Sequence, residues 1–130
     1  MRHAIEHGAA ELRRLKGAID DAFARRTEDQ EAFESWRAAC AEFHARYDAL
    51  AFPGGLARAF ERLTAGDPVA AETAITFVEL RPYFFRSQYH ATKLIRLLKR
   101  LRLRADLQSR LDAALAKRRE YRLRRQRGVW

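Results

Sequence analysis

Apolar residues recur along this chain at helical spacing. Val and Ile are few while Ala and Leu are many, which leaves little material for strands. Ile5, Leu12 and Ile19 stand seven apart, with Leu15 and Ala22 in the alternate position, and this predicts a helix over residues 4–25. Thr27 with Gln30 three residues later reads as a capping box, and Glu28 and Asp29 suit the positive end of a helix dipole. The next helix, 28–51, carries Phe33, Trp36, Cys40, Phe43, Tyr47 and Leu50 in alternating three-and-four spacing. Two such helices with a short link predict a long antiparallel hairpin, with Trp36 buried in its seam.

Phe52-Pro53-Gly54-Gly55 breaks the pattern. A short helix over 56–64 follows, with Phe60 and Leu63 facing inward, and Gly66 ends it. Asp67 then caps a helix that has Pro68 in its first position, where the missing N–H costs nothing, and that runs to Leu80. Pro82 ends that helix. Ser87 is expected to cap a fifth helix carrying Tyr89, Leu94, Ile95, Leu98 and Leu101. A bend near Arg104 leads to a last one with Leu107, Leu111, Ala114 and Leu115. The expected architecture is all-α, five or six helices. The N-terminal hairpin (1–52) is followed by short helices (53–117) ending in a basic helix pair. Beyond Lys117 only Tyr121, Leu123, Val129 and Trp130 are apolar, so 118–130 is expected to leave the body as a basic, fraying extension.

Charge changes this picture more than composition does. Residues 1–80 hold 10 Lys+Arg against 14 Asp+Glu, and residues 81–130 hold 16 against 3. The formal charge of +9 is thus a basic C-terminal part joined to a mildly acidic N-terminal one. Such asymmetry speaks to partners and association rather than to fold. At 130 residues the chain is long enough for one domain with its own core. A lone cysteine, Cys40, forbids an intrachain disulfide and suits a reducing cytoplasm. The N-terminus has no apolar signal segment, and no apolar run is long enough to span a membrane.

The stretch over 79–100, ELRPYFFRSQYHATKLIRLLKR, resembles a segment of small helical bacterial proteins of no known activity. In those an acidic residue, a proline, two or three aromatics and Arg-Ser precede a basic helix. The resemblance covers under a quarter of the chain, implies no activity, and implies that the segment belongs to a folded unit.

Candidate catalytic chemistry is thin. His3-Ala4-Ile5-Glu6-His7 matches H-x-x-E-H, the zinc motif of the inverzincin metallopeptidases. It sits at a terminus, in a chain too short for that mixed α/β fold, and its third ligand would have to come from Glu72 or Glu79. An ordinary helix start is the better reading, and no metal or other cofactor is expected. Cys40 has His44 one turn on but no third group, so an inert buried thiol is expected. Pro53-Gly54-Gly55 is a turn and not a phosphate loop. Asp20 and Asp21 point apart on a helix. The chain reads as a non-enzyme.

The basic residues carry more. Lys93, Arg96 and Arg100 share a face opposite Leu94, Leu98 and Leu101, and Lys99, Arg104, Arg118, Arg119, Arg122 and Arg125 extend the series with scarcely an acid among them. Solvated helix faces usually mix signs, and crowded like charges repel. Arg86 beside the free N–H groups of a helix start at Ser87 could hold a phosphate or carboxylate. In the run Tyr83-Phe84-Phe85, with Tyr89 beyond, not every ring can point inward, so Tyr83, Phe84 and Tyr89 are candidate partner contacts. The reading is a binding module whose basic C-terminal helices contact nucleic-acid phosphates with little sequence preference. The alternative is a protein–protein adaptor that docks an acidic surface through Tyr83–Tyr89 and the basic tail; one acidic surface is internal, at Glu28, Asp29, Glu31 and Glu34.

Overall fold

The computed structural model describes residues 1–127 and contains six helices among them. They are α1 (Arg2–Arg25), α2 (Gln30–Ala51), α3 (Leu56–Thr64), α4 (Pro68–Leu80), α5 (Ser87–Leu98) and α6 (Ala105–Gln126). No strand occurs among the described residues. Helices α1 and α2 pack as the expected antiparallel hairpin. No helix among the described residues is long and apolar enough to cross a membrane.

The caps explain where the helices begin, and two differ from expectation. Asp29, not Thr27, caps α2, its carboxylate accepting from the N–H of Ala32 at 2.8 Å. The turn is thus two residues longer than the Thr27–Gln30 box would make it, because a carboxylate in extended backbone competes better for a free helix N–H than a hydroxyl. Asp67 caps α4 through the N–H groups of Val69 and Ala70, as the sequence indicates. Ser87 is not a cap but the first residue of α5. Arg86 precedes it in a left-handed conformation (φ 68°), and the Ser87 hydroxyl accepts from the N–H of Phe84 at 3.2 Å instead. The serine therefore ties down the preceding loop rather than the helix.

Helix α4 is the axis of the body. It is apolar nearly all round and buried from Ala70 to Val78 save Glu72, as a helix enclosed by others must be. Phe77 lies at the centre, 5.6 Å from the Phe52 ring and 6.2 Å from that of Phe84. The lower half of the hairpin (Ile5, Leu12, Leu15, Phe43), α3 (Leu63), α5 (Leu94, Leu98) and α6 (Leu107, Leu111) close around it.

Gly8 is buried where α1 meets the Leu50 carbonyl of α2, a spot at which a Cβ would collide with backbone. The hairpin seam is tightest there. Its far half is different: no residue from 16 to 42 is buried. Trp36 is half-buried and not in a closed seam. It packs edge-on to Phe23 (5.9 Å) and against Phe33 (5.7 Å), with the Arg26 guanidinium 3.4 Å from the Phe23 ring. Two helices alone can cover only the strip between them, so an a/d stripe that outruns the third layer stays partly wet. Cys40 lies in this stretch and is half-buried too, with His44 exposed.

The C-terminal segment also departs from expectation. Helix α6 continues unbroken from Ala105 through Lys117 to Gln126. The Arg118 guanidinium donates to the Thr92 hydroxyl at 3.1 Å, and the Arg81 guanidinium lies 3.7 Å from the Tyr121 ring. The polar contact holds the extension to α5 and the cation–π contact holds it to the end of α4, where the apolar stripe has thinned. Val129 and Trp130 lie outside the described residues.

Candidate functional site

Helices α5 and α6 both rest on α4 rather than on each other. Val78 of α4, Ile95 of α5 and Ala114 of α6 form a small apolar cluster, with Leu115 against it. Above this floor the two helices leave a groove of two adjoining cavities, about 490 Å³ and 370 Å³, which share Thr92, Arg96, Arg118 and Arg122. Helix periodicity explains who lines it. On α5, Gln88, Tyr89, Thr92, Lys93 and Arg96 recur at one-turn spacing, and on α6 so do Arg118, Tyr121, Arg122 and Arg125, so each helix turns one side to the groove. Lys99, Leu115 and Arg119 extend the second cavity, and Arg81 enters the first from the left-handed residue that ends α4 (φ 50°).

The lining holds six cations in the first cavity and five in the second, with no acid in either among the described residues. The nearby carboxylates are engaged elsewhere. Asp106 pairs with Arg104 at 3.3 Å, Glu120 with Arg124 at 3.0 Å, and Asp112 accepts from Gln108 at 2.9 Å. Glu79 takes Arg110 at 2.7 Å and Glu72 takes it at 3.7 Å. Arg110 therefore clamps α6 to α4. Held in this clamp, the Glu79 carboxyl is drawn below its ordinary pKa by the Arg110 hydrogen bond. Arg118 is pushed the other way: burial, then the charges of Arg122 and Arg81, lower its pKa. The groove is thus a place where positive charge is crowded, with no acid among the described residues that line it.

Two aromatic rings stand among these cations. Tyr89 is 58% exposed, with the Arg86 guanidinium 5.0 Å from its ring, and Tyr121 is 37% exposed beneath Arg81. Lys93 leans its ammonium over Phe60 at 4.1 Å, which fixes the direction of its stem.

Of the residues singled out in the sequence, the structure gathers Tyr89, Lys93, Arg96, Lys99, Arg118, Arg119, Arg122 and Arg125 in this groove. It does not gather the rest. Arg100 lies past the C-cap of α5 rather than on its face, and Arg104 is occupied by Asp106. Arg86 and Tyr83 line a separate cavity of about 540 Å³ against α1, beside Arg13, Lys16 and Asp20. Phe84 is no partner contact: it is 4% exposed and belongs to the core, while Tyr83 at 77% and Phe85 at 51% take the outward positions. Alternation within a three-residue aromatic run sends the middle ring inward. Sequence reasoning missed Arg81 and Tyr121. Tyr121 could have been found, since it falls on the Arg118–Arg122–Arg125 face once the helix is continued past Lys117. Arg81 could not, because a left-handed turn aims it.

The loop between α4 and α5 is bound to the hairpin by Arg13, which the sequence did not single out, and by Tyr47 of the hairpin stripe. Arg13 donates to the Tyr83 carbonyl at 2.6 Å and the Tyr47 hydroxyl donates to the Phe85 carbonyl at 2.5 Å. With its one proton so used, the Tyr47 oxygen accepts from His90 Nε2 at 2.7 Å. His90 is then the Nε2–H tautomer, and its buried Nδ1 has no hydrogen-bond partner among the described residues. Burial first, then Arg86 and Lys93, lower its pKa, so the ring is held neutral. This arrangement anchors the loop that leads into α5.

Among the described residues no three His, Cys, Asp or Glu side chains gather as a metal set. His3 and His7 are exposed on α1, and the acids that could have completed their motif are those clamped by Arg110. No family model matches the chain, and neither does any curated protein or solved structure.

Proposed function

We propose that this protein is a non-enzymatic module of the bacterial cytoplasm that binds nucleic acid through phosphates, using the α5–α6 groove, with little sequence preference. The observation that carries the reading is the lining of cations on two facing helices, with no acid in it among the described residues. Holding like charges together costs free energy that a polyanion removes, with release of condensed counterions from the nucleic acid. The test is fluorescence anisotropy with labelled oligonucleotides from about 50 to 300 mM salt, where each phosphate contact adds roughly 0.7–0.9 to the slope of log K against log salt. Replacing Lys93, Arg96 and Arg122 together by Ala should flatten that slope by about 2 or more. Arg58→Ala, which removes one cation from an exposed position of α3 outside the groove, should leave it unchanged. Absence of binding at the lowest salt would sink the reading.

A protein–protein adaptor is the second reading, favoured by the outward Tyr83 and Phe85 and by the half-covered Phe23, Phe33 and Trp36 at the far end of the hairpin. The internal acidic candidate gets no support: Glu34 pairs with Arg37 at 3.9 Å and Asp29 caps its own helix.

A further inference from the structure

We infer that the groove is shaped for a single strand, with an unpaired base laid on the Tyr89 ring and neighbouring phosphates on Arg96, Arg118 and Arg122; this rests on the nucleic-acid reading above. Phosphate attraction alone does not choose between single and double strands. The aromatic rings do. Tyr89 and Tyr121 line the same cavity as the cations, from opposite helices. An exposed ring in such a place offers a face on which an unpaired base can stack, and a duplex hides the faces of its bases inside its own stack. The Arg86 guanidinium, which lies outside the groove, sits 5.0 Å from the centre of the Tyr89 ring and braces it by a cation–π contact.

The form of the groove argues for a strand rather than for one free nucleotide. The first cavity has both rings, while the second has none and continues the cations through Lys99 and Arg119. The shared residues Thr92, Arg96, Arg118 and Arg122 make the two continuous. A base in the first cavity would therefore send its backbone along the second. An acidic peptide would satisfy the cations equally well but would leave the Tyr89 face without a use.

The test uses the full chain and three probes: a labelled oligothymidine of about twelve nucleotides, a blunt duplex of the same length, and poly-glutamate. The wild type should hold the single strand about tenfold or more tighter than the duplex at low salt, the size expected of one stacked base. Tyr89→Ala should weaken the single strand by about tenfold and leave the duplex within about twofold, whereas Tyr89→Phe should keep the preference. Tyr89 is exposed, so an unchanged melting temperature is expected for both variants. Equal affinity for both strands, or equal loss on both in Tyr89→Ala, would overturn the single-strand assignment while leaving phosphate binding standing. Tighter binding of poly-glutamate than of either nucleic acid, or no binding of either at low salt, would overturn both.

Discussion

The Arg118 guanidinium on α6 donates to the Thr92 hydroxyl on α5 at 3.1 Å, and that hydroxyl in turn donates to the Gln88 carbonyl one turn back at 2.9 Å. Threonine here is an acceptor held in one orientation by its own helix, so the arginine meets a prepared lone pair. The contact lies where the two cavities join and carries the basic end of α6 across to α5. It also places Arg118 among Arg81, Arg122 and Arg96, where its charge is least comfortable.

Ending the chain after Lys117 should therefore remove the groove without unfolding the body. The buried residues of α6, Leu107, Leu111 and Ala114, all precede that point. Thermal unfolding should remain cooperative, with a loss of about 1–2 kcal/mol for the missing polar and cation–π contacts. Oligonucleotide binding at low salt should vanish. A truncated chain that shows no unfolding transition would mean that the last turns of α6 are part of the core.

The two glycines of α1 should respond to alanine with opposite signs. At Gly8 a methyl group would meet the Leu50 backbone, and forcing the hairpin apart should cost about 1–3 kcal/mol. At Gly17 nothing lies within 4 Å of the added carbon. Gly17→Ala should stabilise by about 0.5–1 kcal/mol through helix propensity. Chemical denaturation of the two variants checks both signs at once.

Trp36→Ala should cost less than its size suggests. The ring is half-buried among Phe23, Phe33 and Arg26, so a loss of about 1–2 kcal/mol is expected, below the range of full core truncations. Phe77→Ala, at the centre of the body, should cost about 3–5 kcal/mol. Equal losses in urea titrations would show that the far half of the hairpin is as closed as the core.

Stability should fall below neutral pH through His90. Its pKa is lowered in the folded protein from an ordinary 6.5, by burial and then by Arg86 and Lys93, with Asp48 opposing. The unfolded chain then binds the proton more readily. The contribution of the neutral ring is fully present above about 6.5 and is lost as pH falls through the depressed folded value. His90→Phe should show a shallower decline in melting temperature over that window than the wild type. The lowered carboxyls of Asp67 and Glu79 act in the same direction, but only below their ordinary values of 3.8 and 4.5. Parallel pH profiles for the two proteins would show that the ring does not titrate against folding.

How much could be read in advance follows the range of the interaction concerned. Helix existence was legible because it rests on local spacing and on residues such as Asp67-Pro68 and Pro53-Gly54-Gly55, whose effects reach only a turn or two. The cations of the groove were legible as a one-sided series, since Lys93, Arg96, Arg118, Arg122 and Arg125 lie on helical faces. The caps at Asp29 and Arg86 were missed because several neighbouring polar residues can serve, and backbone geometry chooses among them.

The amino-acid sequence by itself determined the all-α architecture, the opening hairpin and the concentration of positive charge after residue 80. These depend on periodicity and composition, which need no knowledge of neighbours in space. Tertiary structure alone decided that α4 lies at the centre, that α5 and α6 part above it to form a groove, and that Arg81 and Tyr121 join the site from turns and faces far apart in the chain. It alone sent Phe84 inward and Tyr83 outward, and left Trp36 half covered. Burial is set by how many layers reach a residue, and that number is a property of the packed whole.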